Sequence, residues 1–168
     1  MKLSNSQGFT LIELLVVMTI MGLMMGVGMM AYGRIQEDQN LKKSYKDALI
    51  ALTEAQQNAF LGKKDICTAD EVLVSYIFSF VDGTGGYQIN AICSDGKTPP
   101  TITSSPTTKT GTLSKGTIFK AISGTTVEFE SVTRELTSGT SFTFSIENSS
   151  GARVVEITQF GDIREDGK

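Results

Sequence analysis

The run from Phe9 to Ala31 constrains this chain more than any other feature: 23 residues in which Glu13 is the only charged side chain. As a helix it would extend about 34 Å at ~1.5 Å per residue, enough to cross a bilayer core of ~30 Å. A carboxylate in such a span costs a few kcal/mol, roughly 2.5–3.5 at the centre, unless it is paired or protonated. Glu13 is therefore a functional residue by default. Its partner is the question the sequence poses.

What precedes the run is unlike an export signal. A secretory signal peptide carries its small-residue cleavage site after the apolar core. Here Met1-Lys2-Leu3-Ser4-Asn5-Ser6-Gln7-Gly8 comes first, and no Ala-x-Ala-like site follows the run. Any removal takes the polar leader and leaves the apolar helix in place. Six of the seven Met residues fall inside this helix, where flexible thioethers fill irregular gaps. Gly22 and Gly26 form a Gly-x-x-x-Gly pair, the spacing that lets membrane helices approach closely.

The junction Gly8-Phe9-Thr10-Leu11-Ile12-Glu13-Leu14-Leu15-Val16-Val17 closely resembles the class III leader of type IV pilins and type II secretion pseudopilins. The resemblance implies cutting between Gly8 and Phe9 by a prepilin peptidase, then N-methylation of Phe9. It implies a pilin-like α+β fold, with a long N-terminal helix, transmembrane in its first half, and an antiparallel β-rich head. The partners it implies are other pilins or pseudopilins, an inner-membrane assembly platform and membrane lipid. The place it implies is the bacterial inner membrane, single-pass, with the head in the periplasm or outside. Cleavage would leave a cationic amine on Phe9, and Glu13 of one subunit would meet the Phe9 amine of its neighbour. Opposite charges attract far more strongly at low effective dielectric, so the pair would fix one assembly register. Many pilins carry a proline in this helix, whereas here none precedes Pro99.

Beyond Ala31 the helix is expected to continue. Leu41, Tyr45, Ala48, Leu49, Leu52, Ala55 and Ala59 recur at spacings of three and four, one apolar stripe. Charged residues from Arg34 to Glu54 make the opposite face, and Gly62 suits the C-cap. Then the period becomes 2: Val127 and Phe129 alternate with Glu128 and Glu130, and Phe142, Phe144 and Ile146 with Thr143, Ser145 and Glu147. Segments 72–81, 87–93, 117–122, 152–158 and the final residues read as further strands, separated by turn signals such as Asp82-Gly83 and Ser138-Gly139. The expected organisation is a leader over 1–8, an apolar helix over 9–31, its amphipathic continuation over 32–62 and a β-rich domain over 63–168. The strands from Leu113 to Ile163 are similar in pattern to H-type minor pseudopilins and related minor pilins.

Composition narrows the function. The absence of histidine excludes a Ser-His-Asp or Cys-His nucleophile and any His-based metal site. No catalytic residue, metal or cofactor is expected. Fifteen Lys and Arg stand against 18 Asp and Glu, net −3, with no basic stripe to track phosphates. Nucleic-acid capture is therefore disfavoured. Cys67 and Cys93 are the only cysteines; in an oxidising envelope they are expected to form a disulfide, the alternative being two buried thiols. Asp82-Gly-Thr-Gly-Gly86 lacks the Lys of a P-loop and the spaced acids of a calcium loop, so it reads as a hairpin turn. The Ser/Thr/Pro-rich stretch from Ser94 to Thr112 reads as an exposed loop. Two functions remain: a structural subunit of a pilus or pseudopilus, or a filament-displayed module that binds DNA or a surface.

Overall fold

The computed structural model describes residues 9–97, 101–133 and 135–166, without the side chains of 27–31, 165 and 166. Two compact units divide between Gln36 and Glu37.

Helix α1 runs Leu11–Phe60. Thr10 starts it: its hydroxyl and its carbonyl both accept the Glu13 N–H, at 3.3 and 3.1 Å. Thr10 and Glu13 thus hold the N-cap and N3 places of a Thr-x-x-Glu sequence, and an acid in the first turn suits the helix dipole. The helix stops at a left-handed glycine. Gly62, at φ 59°, donates to the Ala59 carbonyl, and Lys63 N–H donates to Asn58. This is a Schellman closure, which needs a residue free of a Cβ at the turn.

In the second unit the helix buries Leu41, Tyr45, Ala48, Ala51, Leu52, Ala55 and Ala59. The expected stripe is all there, with Leu49 half-buried and Ala51 added. Four alanines on that face leave no bulk between helix and strands. Polar bonds fix the seating: the Ser114 N–H donates to Ser44 Oγ at 2.9 Å, Gln56 Nε2 to the Gly161 carbonyl at 2.7 Å, and Asn148 Nδ2 to the Glu37 carbonyl at 2.8 Å. Lys109 pairs with Glu54.

Nine strands make two antiparallel sheets: β1 Val72–Phe80, β2 Gly86–Ser94, β3 Ile102–Ser104, β4 Thr107–Thr112, β5 Ile118–Ala121, β6 Thr126–Glu130, β7 Phe142–Asn148, β8 Gly151–Ile157 and β9 Ile163–Asp166. The first sheet has the order β3-β2-β1-β6, with β4 also on β2, and the second β5-β7-β8-β9. β3 and β4 correct the expectation of a plain loop over 94–112. Thr is a good strand former, and β2 would otherwise leave its outer main-chain groups unpaired. A Cβ at Gly111 would collide with the Tyr87 ring, so β4 passes there only as glycine.

The sheets meet through aromatic rings. Phe78 and Phe80 of β1 pack on Phe119 of β5 and Phe144 of β7, with centroids 4.8–6.4 Å apart. Main-chain bonds add to this: Gly83 N–H donates to the Phe119 carbonyl and Phe119 N–H to that of Thr84. Of the inward positions expected from alternation, Val127, Phe129, Phe144 and Ile146 are buried, whereas Phe142 at the strand end is half-buried and Ser145, expected outward, is buried.

Candidate functional site

Two regions carry the residues singled out by sequence. The first is the start of α1. Gly8 lies outside the described residues. Phe9 is 78% exposed, and large apolar side chains stay exposed from Leu11 through Met25. The Glu13 carboxylate has no ion-pair partner among the described residues. Among the described residues, a Cβ built on Gly22 or Gly26 meets nothing within 4 Å, so no described neighbour requires either glycine to be small. Among the described residues, no helical stretch is long and apolar enough to cross a membrane. The last part of the apolar run, the side chains of 27–31, lies outside them.

Such a surface is chemically simple. Apolar area left in water costs about 25 cal/mol per Å² relative to burial, so the first unit is a face awaiting another apolar phase. Its one carboxylate sits in the first helical turn, where a cation would be attracted to it.

The second region is the start of the head. Cys67 and Cys93 are joined in a disulfide, with Cα atoms 5.8 Å apart. Beside it, Glu71 accepts hydrogen bonds from the Thr68 N–H at 2.8 Å and from the hydroxyls of Thr103 and Ser104 at 2.5 and 3.1 Å. Those bonds, led by Thr103, hold its carboxyl below the usual value of 4.5. Glu71 and the two sulfurs lie within 4.8 Å of one another. With the sulfurs bonded together and Glu71 already hydrogen-bonded, this is a clasp on β3, not a set of thiolate donors. Asp95 works the same way one loop on: its carboxylate accepts the N–H groups of Thr101 and Lys97, which lower its pKa. Asp82 Oδ1 accepts the Ala121 N–H at 2.8 Å. The Asp82–Gly86 segment is the β1–β2 turn, as its composition indicates.

Sequence reasoning missed two local features. Thr10 as N-cap was legible, since Thr-x-x-Glu ahead of an apolar run is a capping signature. The neighbourhood of Arg153 was not. Its guanidinium lies 5.6 Å from the Tyr45 ring centroid, beside Lys42, Lys43 and Lys46 of α1. No local pattern joins residues so far apart in the chain.

Comparison with known proteins agrees with this anatomy. Residues 3–29 match the model of the prokaryotic N-terminal methylation motif. No curated protein matches significantly. Among solved structures, the fold is similar to the crystal structure of the type IV minor pilin FimU from Pseudomonas aeruginosa. The two are 17% identical, with a TM-score of 0.53, over 75% of this chain and 92% of that one. At that identity the likeness is one of fold. The chain thus joins a prokaryotic N-terminal methylation motif to a head whose fold is similar to that of a type IV minor pilin.

Proposed function

We propose that this chain is a minor pilin or pseudopilin, a structural subunit of a type IV pilus or type II secretion pseudopilus. A prepilin peptidase cuts between Gly8 and Phe9 and methylates the new Phe9 amine. Residues 9–31 hold the subunit in the bacterial inner membrane, and the head stands in the periplasm or outside the cell. Assembly moves the same helix from lipid to a bundle of neighbouring helices. Glu13 pairs there with the Phe9 amine of the next subunit, and Gly22 and Gly26 admit close helix approach. The chain performs no catalysis.

The observation that carries this reading is a coincidence of three things. The methylation motif sits on a helix whose apolar side chains are left uncovered, ahead of a head of pilin fold. N-terminal mass spectrometry of the assembled protein tests it: the expected terminus is N-methyl-Phe9, and an intact leader in assembled material overturns it. The choice between a secretion pseudopilus and a pilus follows from gene neighbourhood, where secretin and assembly-ATPase genes identify the machine. A filament-displayed binding module is the second reading.

A further inference from the structure

Within the second unit, α1 and Arg153 of β8 line an open groove of about 780 Å³ in which four cationic side chains outnumber Asp47. Lys42, Lys43 and Lys46 come from two turns of the helix, and Arg153 from the strand beside them. The groove is built rather than incidental. Arg153 is placed by the face of Tyr45, and Lys42 by its 2.6 Å pair with Asp38. Lys43 and Lys46 are exposed and, among the described residues, have no ion-pair partner. Ile50, 62% exposed, also lines it.

We propose that this groove receives an acidic polypeptide segment of a neighbouring pilin subunit, a proposal that rests on the reading of the chain as a filament subunit. Charge complementarity selects the sign. Two unpaired ammonium groups and a guanidinium held on an aromatic face attract carboxylates, and Arg beside Tyr is a common anchor of protein interfaces. The rest of the groove selects the class. Tyr45 is buried and offers no ring on which a base stacks. Asp38 and Asp47 stand among the lysines and break the positive surface into separate spots, which suits isolated carboxylates better than the continuous charge of a phosphate backbone. Ile50 offers an apolar contact that a polypeptide can use and a phosphate chain cannot.

The test places a photoreactive amino acid at Gln39, which lines the groove, in the full chain expressed in its host. Adducts are mapped by mass spectrometry. The expected adduct lies on an Asp- or Glu-bearing peptide of a subunit that itself has a prepilin junction, this chain or another. Its yield falls at least fivefold in Lys43→Glu/Lys46→Glu and less in Lys43→Gln/Lys46→Gln, and it recovers when the mapped acid is changed to Lys. Both lysines are exposed, so the head keeps its fold. Adducts on lipid or nucleic acid, on peptides without acids, or with yields insensitive to charge overturn the proposal. Filament fractionation of the same cells separates the two levels. A chain that never enters a filament overturns the pilin reading and the groove with it, whereas a chain that enters with no charge-sensitive adduct overturns the groove alone.

Discussion

Val132 donates its N–H to the Ala59 carbonyl at 3.0 Å while its own backbone sits at φ 69°. It is the one non-glycine among the described residues with positive φ, and it is β-branched, the type that tolerates this region least. Its side chain is 71% exposed and gains little from packing. The Ala59 carbonyl already accepts the Gly62 N–H of the helix closure, so Val132 is a second donor that ties the β6–β7 connection to the helix end.

Strain of this kind costs on the order of 1–3 kcal/mol. Val132→Asn, which accepts the left-handed region more readily, is expected to stabilise the head by about 1 kcal/mol. The melting temperature should then rise by roughly 2–4 °C. Calorimetry checks it. A fall would mean that the valine side chain contributes packing its exposure does not reveal.

Glu13→Val removes the cost of placing an acid in an apolar phase. Membrane insertion should be unchanged or improved, while recovery in sheared filaments falls, because the neighbour's amine loses its partner. Equal recovery of variant and parent protein would contradict the pairing. Unchanged insertion in the same cells shows that the loss arises at assembly.

The bridge between Cys67 and Cys93 spans a sequence separation of 26. On the chain-entropy model, closing such a loop is worth ~3 kcal/mol. Cys67→Ser/Cys93→Ser is expected to lower the melting temperature by roughly 6–12 °C without changing the β content. Circular dichroism before and during melting measures both. An unchanged melting temperature would place the head's stability in its β core alone.

The clasp at Glu71 makes one part of the head acid-sensitive. Its folded carboxyl pKa is lowered, first by the Thr103 hydroxyl and then by the Thr68 N–H. A depressed pKa contributes stability that is present above the unfolded value of 4.5 and is lost as pH falls through the folded one. Asp95 behaves alike, through the N–H groups of Thr101 and Lys97. As pH drops from 6 to 3, the amides of Thr68 and Thr101 should lose hydrogen-exchange protection, after correction for intrinsic rates, before those of β1. In Glu71→Gln the Thr68 amide should lose most of that pH dependence while Thr101 keeps it. Parallel loss across β1 and both loops would mean that the clasp has no separate acid response.

The parts of this architecture that repeat were legible in sequence. The apolar run, the stripe from Leu41 to Ala59 and the alternation at Val127–Phe129 each state a period, and a period states a face. Gly62 was legible because a helix end asks for one residue type. What pairs at a distance was not. β1 takes β6 as its second neighbour, Tyr76 opposite Phe129, and nothing near either residue says so. β3 and β4 hide in a Ser/Thr/Pro-rich stretch because their reason to exist is the free edge of β2. Arg153 joins the lysines only through the fold. The N-terminal motif was legible because it is a run of consecutive residues, matched over 3–29 by the methylation-motif model, and needs no folded context to be seen.

Chain order gives the Cys67–Cys93 loop a further meaning. It encloses all of β1 and nearly all of β2, and both cysteines precede β6 and every strand of the second sheet. A polypeptide that emerges amino end first therefore presents the β1–β2 hairpin, ready to be stapled, before β6 and the second sheet have followed. The covalent lock can close on the first hairpin of the head before its remaining partners exist. Late strands then add to a template that no longer unravels, and a delay in oxidation becomes a delay in the whole order of maturation.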